Sequence, residues 1–172
     1  MKLVIIGMGN TLLSDDGAGI AVAERLAEIF RDNEAVDVIP ASWGGFRIID
    51  LLAGYDAAII IDAAKTDEVP IGCIRKFIPA DFVHSVRMVS FHDVNFATAL
   101  EFAQQMDIPM PQDISIYTIE VEDITTISEE LTATVHSVVE VCVQRILKEV
   151  KSFNQHWEFW KNEKSITPLL HF

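Results

Sequence analysis

The stretch that decides the fold is LVIIGMGNTLLSDDG, residues 3–17. It begins with an unbroken apolar run rich in β-branched side chains, which is typical of a parallel strand covered on both faces. Gly7 and Gly9 follow, in the position where a nucleotide-binding enzyme carries its glycine fingerprint. The stretch then ends in two adjacent carboxylates, Asp15 and Asp16. Because carboxylates at a helix N-terminus repel phosphate, this loop is better suited to a cation.

The remainder of the chain alternates strand and helix patterns. The run AAIIID predicts a second central strand, and weaker patterns predict three more strands, at Val36 to Ser42, Cys73 to Ala80 and Ile114 to Glu122. Apolar residues at helical spacing predict helices over 19–30, 46–52 and 95–106, and a last helix that begins near Ser128, where SEEL offers an N-cap. The order β-α-β-α-β-β-α-β-α predicts an α/β fold, with a twisted, largely parallel sheet covered by helices on both faces.

Composition narrows the class of protein. A chain of 172 residues with 50% hydrophobic residues is expected to form one domain with a substantial core. The net charge of −13 argues against nucleic acid or an anionic membrane surface as partner. No apolar run has the length of a membrane or secretory segment, so we expect a cytoplasmic protein without membrane insertion. Cys73 and Cys142 lack a CxxC pattern and are expected to be buried, reduced thiols.

The glycines lack two of the main features of a dinucleotide site. A dinucleotide fingerprint needs a third glycine where this chain has Leu12, and a carboxylate at the end of the second strand, where it has Pro40, Ala41 and Ser42. No GKS or GKT follows, which excludes a P-loop. We therefore expect no nucleotide cofactor.

The same stretch resembles the signature GxGNxLxxDDGxG of the hydrogenase maturation protease family. The matching residues are Gly7, Gly9, Asn10, Leu12, Asp15, Asp16, Gly17 and Gly19. The resemblance continues with Asp62 at the end of the third strand and with His92 in the element SFH, and it covers roughly residues 1 to 150.

This resemblance implies both a fold and an activity. The fold would be a three-layer α/β/α sandwich of the phosphorylase/hydrolase type, with a mostly parallel five-stranded sheet. The activity would be that of an endopeptidase that removes the C-terminal extension of a nickel-iron hydrogenase large-subunit precursor after nickel insertion. The precursor would be the partner and would bring the nickel. Residues 1–150 would form the protease domain. Residues 151–172 extend past it, and this extension either docks on the hydrogenase subunit or on a second copy of the chain, or else folds back on its own domain or is poorly ordered.

Elementary electrostatics supports a cation site. Segments that leave the carboxyl ends of parallel strands meet at one edge of the sheet, so Asp16, Asp62 and His92 are expected to converge there. Two carboxylates about 4 Å apart repel by about 4 kcal/mol at an effective dielectric constant of 20, and a divalent metal removes this repulsion. Carboxylate and imidazole are suitable ligands for nickel or zinc.

The resemblance also implies roles for individual residues. Asp16, Asp62 and His92 would contact the metal, and Asp16 or Asp62 would act as general base. Asp15 is expected to cap the following helix or to support the site. Asn10 is expected to orient the loop through its backbone.

Two other classes of function remain open at this point. One is a binding module, either a hydrogenase assembly chaperone that cuts nothing or a Rossmann-like nucleotide binder. The other is a metal-dependent peptidase with general substrates. The oligomeric state, the client hydrogenase and the cleaved bond do not follow from the sequence.

Overall fold

The computed structural model describes residues 2–42, 46–82 and 96–164. The five strands are β1 Leu3–Met8, β2 Val36–Ala41, β3 Ala57–Ala64, β4 Ile74–Phe77 and β5 Asp113–Glu120. The helices are α1 Ala18–Ile29, α2 Arg47–Leu52, α3 Pro79–Phe82, α4 Phe96–Gln105 and α5 Ala133–Lys164, and a short 3-10 helix, Ser14–Gly17, precedes α1. None of the helices in the described part of the chain combines the length and the apolar character that a membrane span needs.

The strands form one sheet in the order β2-β1-β3-β5-β4. Strands β2, β1, β3 and β5 run parallel to one another. The last strand of the sheet, β4, pairs antiparallel with β5. The two continuous apolar runs of the sequence, β1 and β3, lie side by side in the interior and are buried along their whole length. The prediction of a mostly parallel sheet with these two central strands is confirmed.

Two apolar layers cover the sheet. Side chains alternate along each strand, so that Ile59 and Ile61 of β3 face a cluster built with α1 and α5, while Ala58 and Ile60 face a cluster built with α2 and α4. This arrangement is the predicted three-layer α/β/α sandwich.

Tight contacts explain the glycines of the opening stretch. A Cβ at Gly7 would lie 2.2 Å from the Gly19 carbonyl oxygen, and a Cβ at Gly19 would lie 2.3 Å from the Met8 oxygen and 2.5 Å from the Ile61 oxygen. Gly9 has φ +146° and would place a Cβ 1.9 Å from the Asp16 oxygen. The start of α1 therefore packs directly on the ends of β1 and β3.

One helix boundary differs from the prediction. The last helix begins at Ala133 and not near Ser128. Ser128 instead forms a β-bridge with Leu13, and its carbonyl oxygen accepts the Ser14 N–H at 2.8 Å. Ser128, which the local sequence pattern assigns to a helix cap, therefore takes part in a tertiary contact instead. In addition, α5 crosses residue 150 without a break, so the predicted boundary between domain and extension falls inside a helix.

Candidate active site at the carboxyl edge of the sheet

The candidate site lies at the carboxyl ends of the parallel strands. The 3-10 helix that carries Asp16 follows β1 and contacts β3, the strand that carries Asp62. β3 continues for two residues beyond Asp62, to Ala64. The structure therefore brings the elements of Asp16 and Asp62 together at one edge, although 45 residues separate these aspartates in the sequence.

Both aspartates are buried. Asp16 is 2% exposed and Asp62 is 0% exposed. The Asp62 Oδ1 atom accepts the N–H of Ala63 at 2.8 Å. Because buried ionisable side chains are enriched at functional sites, two such carboxylates on adjoining elements identify this edge as the candidate site.

Asp15 has a different role from the helix cap that its position suggests. It is 0% exposed, and its carboxylate accepts backbone N–H groups of Glu122 at 3.3 Å, Asp123 at 3.2 Å and Thr132 at 2.7 Å. The Thr132 hydroxyl adds a bond of 3.1 Å. These donors belong to residues 121–132, between β5 and α5, so Asp15 holds that segment against the loop after β1. Asp15 therefore does not cap α1, whose N-cap residue is Gly17, and its support of the candidate site stays a prediction.

Residues 121–132, which Asp15 binds, also contain hydrogen bonds of their own. Asp123 accepts the N–H groups of Thr126 at 3.0 Å and Thr125 at 3.1 Å. Hydrogen bonds from Thr126 and then from Thr125 lower the pKa of Asp123 to about 2. Charge-assisted bonds of this kind favour a single loop conformation.

Asn10 forms hydrogen bonds with the backbone of its own loop. Its side-chain oxygen accepts the N–H of Leu12 at 3.0 Å, and its own N–H donates to the Asp16 carbonyl oxygen at 3.3 Å. This is the local side-chain to backbone bonding that asparagine provides in turns.

Glu120, at the end of β5, is a buried carboxylate that sequence reasoning missed. It is 0% exposed and accepts the N–H groups of Thr66 at 2.6 Å and Asp67 at 2.8 Å. The Arg75 guanidinium lies 3.4 Å from the same carboxylate. Glu120 thereby anchors the connection between β3 and β4. A glutamate in the otherwise buried strand ISIYTIE was the signal that could have identified it.

His92 lies outside the described residues, and so does the SFH element. β4 is antiparallel, so its carboxyl end lies at the opposite edge, and the convergence of His92 with the two aspartates stays a prediction. The link between α4 and β5 approaches that opposite edge, where the Gln112 N–H donates to the Asp56 oxygen at 3.1 Å. α4 begins at Phe96, four positions after His92 in the sequence.

A complete metal site is not visible in the described part of the chain. Over residues 2–42, 46–82 and 96–164, no group of three or more His, Cys, Asp or Glu side chains is placed to hold a metal ion. The ligand set of Asp16, Asp62 and His92 thus stays a prediction, with two members at the edge.

The two cysteines differ from each other. Cys142 is buried in α5, and burial raises the pKa of its thiol to about 12, which makes it unreactive. Cys73 is only partly buried. The prediction of a buried thiol is confirmed for Cys142 alone.

Comparison with known proteins gives a consistent result. Residues 20–149 match the sequence model of a family described as hydrogenase maturation protease. The matched range contains Asp62 and His92, and it begins just after the glycine-rich signature.

Individual relatives and structures agree with this match. The chain is 21% identical over 155 residues to the hydrogenase 2 maturation protease of Escherichia coli, covering 88% of this chain and 92% of that protein. It is 21% identical over 181 residues to the hydrogenase expression/formation protein HupD of Rhizobium leguminosarum, covering 98% and 84%. The structure of the hydrogenase maturating endopeptidase HybD from E. coli superposes with a TM-score of 0.74 at 21% identity, over 88% of this chain and 93% of that one.

Proposed function

Because the chain belongs to the hydrogenase maturation protease family, we propose that it is an endopeptidase that removes the C-terminal extension of a nickel-iron hydrogenase large-subunit precursor after nickel insertion. The observation that carries this proposal is the placement of two buried carboxylates, Asp16 and Asp62, on contacting elements at the carboxyl edge of the sheet. Ligands of open parallel sheets bind at this edge.

In the proposed mechanism, nickel is part of the substrate. Asp16, Asp62 and His92 would meet the nickel that the precursor already holds, and the scissile bond would be docked beside them. Nickel supplies Lewis-acid polarisation of a carbonyl. Asp16 or Asp62 would accept a proton from the attacking water as the water oxygen adds to the peptide carbonyl, and the same carboxyl group would return this proton to the amine that leaves as the C–N bond breaks. Only the nickel-loaded precursor would be cut.

Electrostatics supports recognition of a cation by this edge. Asp16 and Asp62 lie in a site largely closed to water, where interactions between charges are stronger than in bulk solvent. A divalent ion compensates the cost of holding two carboxylates there. Binding of a substrate that carries its own metal ion would therefore be more favourable than binding of a metal-free substrate.

The described geometry does not favour a nucleotide binder. Asp15 and Asp16 occupy the 3-10 helix directly before α1, at the position where a phosphate would need backbone N–H groups. The residues at the end of β2, Pro40 and Ala41, provide no carboxylate for a ribose. A chaperone that holds the precursor without cutting it remains an outcome of the test below.

The test compares nickel-loaded and nickel-free precursor as substrates, with the products weighed by intact-protein mass spectrometry. We expect wild-type protein to shorten only the nickel-loaded form. Asp62→Asn, Asp16→Asn and His92→Gln should each reduce the rate by about 100-fold or more, since they remove groups of the transition-state site. His136→Gln, which alters an exposed histidine of α5, is the matched control and should leave the rate unchanged.

Two results would contradict the proposal. Equal cleavage of both precursor forms would exclude recognition through nickel. Binding of the precursor without any shortening by wild-type protein would instead identify a chaperone.

A further inference from the structure

Thr118, in β5, lies beside the candidate catalytic aspartate. In the register of the sheet it pairs with Asp62 of β3 on one side and with Arg75 of β4 on the other. Paired residues of adjacent strands point to the same face, here the face covered by α2 and α4. Thr118 and Asp62 are both 0% exposed. A hydroxyl and a carboxylate thus lie side by side in the interior of the sheet.

The hydroxyl of Thr118 is not used by the fold. Within residues 2–42, 46–82 and 96–164, its buried Oγ1 atom has no hydrogen-bond partner. A buried polar atom of this kind destabilises a protein, because the hydroxyl has lost its bonds to water. Valine has the same β-branched shape and suits a buried strand without this cost. Packing alone therefore does not account for threonine at this position.

The neighbour on the other side, Arg75, is already engaged. Its guanidinium lies 3.4 Å from Glu120 and 3.3 Å from the Thr66 hydroxyl, and 3.7 Å from Glu68. A guanidinium can only donate, so it offers no acceptor for the Thr118 hydroxyl proton. Of the two side chains paired with Thr118, Asp62 alone can accept that proton.

The spacing of the sheet allows this bond. Adjacent strands lie about 4.8 Å apart, and a threonine hydroxyl changes direction by rotation about a single bond between staggered positions. The Asp62 carboxylate can accept hydrogen bonds from several donors at once, since two oxygens offer about four lone-pair sites. The N–H of Ala63 uses one of them.

We propose that Thr118 is a positioning residue that donates a hydrogen bond from its hydroxyl to the Asp62 carboxylate when the precursor is bound. This inference rests on the proposed function of Asp62. The bond holds the carboxylate in one orientation while it contacts the substrate's nickel or the attacking water. Thr118 itself does not touch the substrate. It acts through Asp62. An apolar side chain at position 118 would stabilise the fold more, but only a hydroxyl there aligns the Asp62 carboxylate.

The test uses Thr118→Val and Thr118→Ser, assayed as full-length protein on nickel-loaded precursor, with kcat and KM from intact-mass time courses. Loss of a residue that orients a ligating group typically costs about 10- to 100-fold in activity. We expect kcat of Thr118→Val to fall about tenfold, with KM little changed. Thr118→Ser keeps the hydroxyl and should retain most of the activity.

Thermal unfolding of the same variants separates positioning from structure. Thr118→Val should unfold at the same or a higher temperature than wild type, because it replaces a hydroxyl without a partner by a methyl group. Ser115→Ala is the matched control: Ser115 is a buried polar residue of the same strand, on the opposite face, and its loss should leave kcat unchanged.

The outcomes separate this inference from the proposed function. If Asp62→Asn is inactive and Thr118→Val cleaves at the wild-type rate, the positioning role is overturned and the function stands. If Thr118→Val and Thr118→Ser are equally impaired and both unfold at lower temperature, the role is structural and the inference is again overturned. If Asp62→Asn cleaves normally, both proposals fail.

Discussion

The two edges of the sheet are held together by different means. At the carboxyl edge, the carboxylates of Asp15 and Glu120 are fully buried, and each accepts several backbone N–H groups from a loop. At the amino edge the comparable groups are accessible to water: the Lys2 ammonium lies 3.5 Å from Asp37, with side chains 59% and 45% exposed. The Tyr55 hydroxyl also donates to Asp37, at 2.7 Å.

This difference teaches where the molecule needs rigidity. Exposed ion pairs add little stability and allow movement, whereas a buried carboxylate with several donors tolerates one geometry only. The rigid edge is also the one that carries Asp16 and Asp62. We infer that Asp15 and Glu120 serve to fix the loops around the candidate site.

The largest expected effect is that of Asp15→Ala. The substitution leaves the N–H groups of Glu122, Asp123 and Thr132 without their acceptor, so the free energy of unfolding should fall by about 2–4 kcal/mol. Urea denaturation followed by circular dichroism measures this loss. Asp32→Ala removes an exposed aspartate and should change the value by less than about 0.5 kcal/mol. Equal effects of the two substitutions would show that the buried Asp15 carboxylate does not stabilise residues 121–132.

The second prediction concerns Glu120→Gln, which keeps the shape of the side chain and removes its charge. The amide cannot accept from Thr66, Asp67 and Arg75 as the carboxylate does, and we expect a loss of about 1–3 kcal/mol. Glu122→Gln, two residues further along and exposed, is the matched control, with an expected change below about 0.5 kcal/mol. Hydrogen exchange should show faster opening of residues 65–68 in Glu120→Gln only. Unchanged exchange there would argue against the anchoring role of Glu120.

The smallest effect is expected at the amino edge, for Tyr55→Phe. Burial, and then the hydrogen bond to Asp37, raise the pKa of Tyr55 from 10.0 to about 12. Above pH 10 the unfolded chain loses the phenolic proton while the folded protein keeps it, so the contribution of Tyr55 is present below pH 10 and declines as the pH rises towards 12. At neutral pH the variant should lose about 0.5–1.5 kcal/mol.

Denaturation of wild type and Tyr55→Phe between neutral pH and pH 11 tests this sign. The difference in unfolding free energy should shrink as the solution becomes alkaline. A difference that stays constant or grows with pH would contradict the raised pKa.

Much of the fold could be predicted from local pattern. The apolar runs of β1 and β3 identified the interior of the sheet, because a strand covered on both faces cannot expose polar side chains. The direction of β4 could not be predicted, since a short strand of four residues carries no mark of its polarity. The start of α5 was placed too early, because Ser128 has the chemistry of a cap but is used in pairing with Leu13.

Only part of the candidate site could be predicted from the sequence, because some of its contacts join distant segments. The signature located the loop that carries Asp16, and the end of an apolar strand located Asp62. Of the two roles expected for Asp15, the helix cap is not formed, and its actual hydrogen-bond donors lie 107 to 117 residues away in the sequence. Glu120 and Thr118 passed unnoticed within a strand that otherwise follows the apolar pattern.

By itself, the sequence determined the helices and strands, the central position of β1 and β3, and the presence of two acidic residues before α1. These features depend on backbone preferences and on the periodic burial of side chains, which neighbouring residues encode. Only the tertiary structure decided that the Asp15 carboxylate binds residues 121–132 while Asp16 lies on the element that contacts β3. It also decided that β4 is antiparallel and that Thr118 is paired with Asp62. The physical reason is that the hydrogen-bond partners of a buried polar group come from distant segments, which meet only when the sheet has formed.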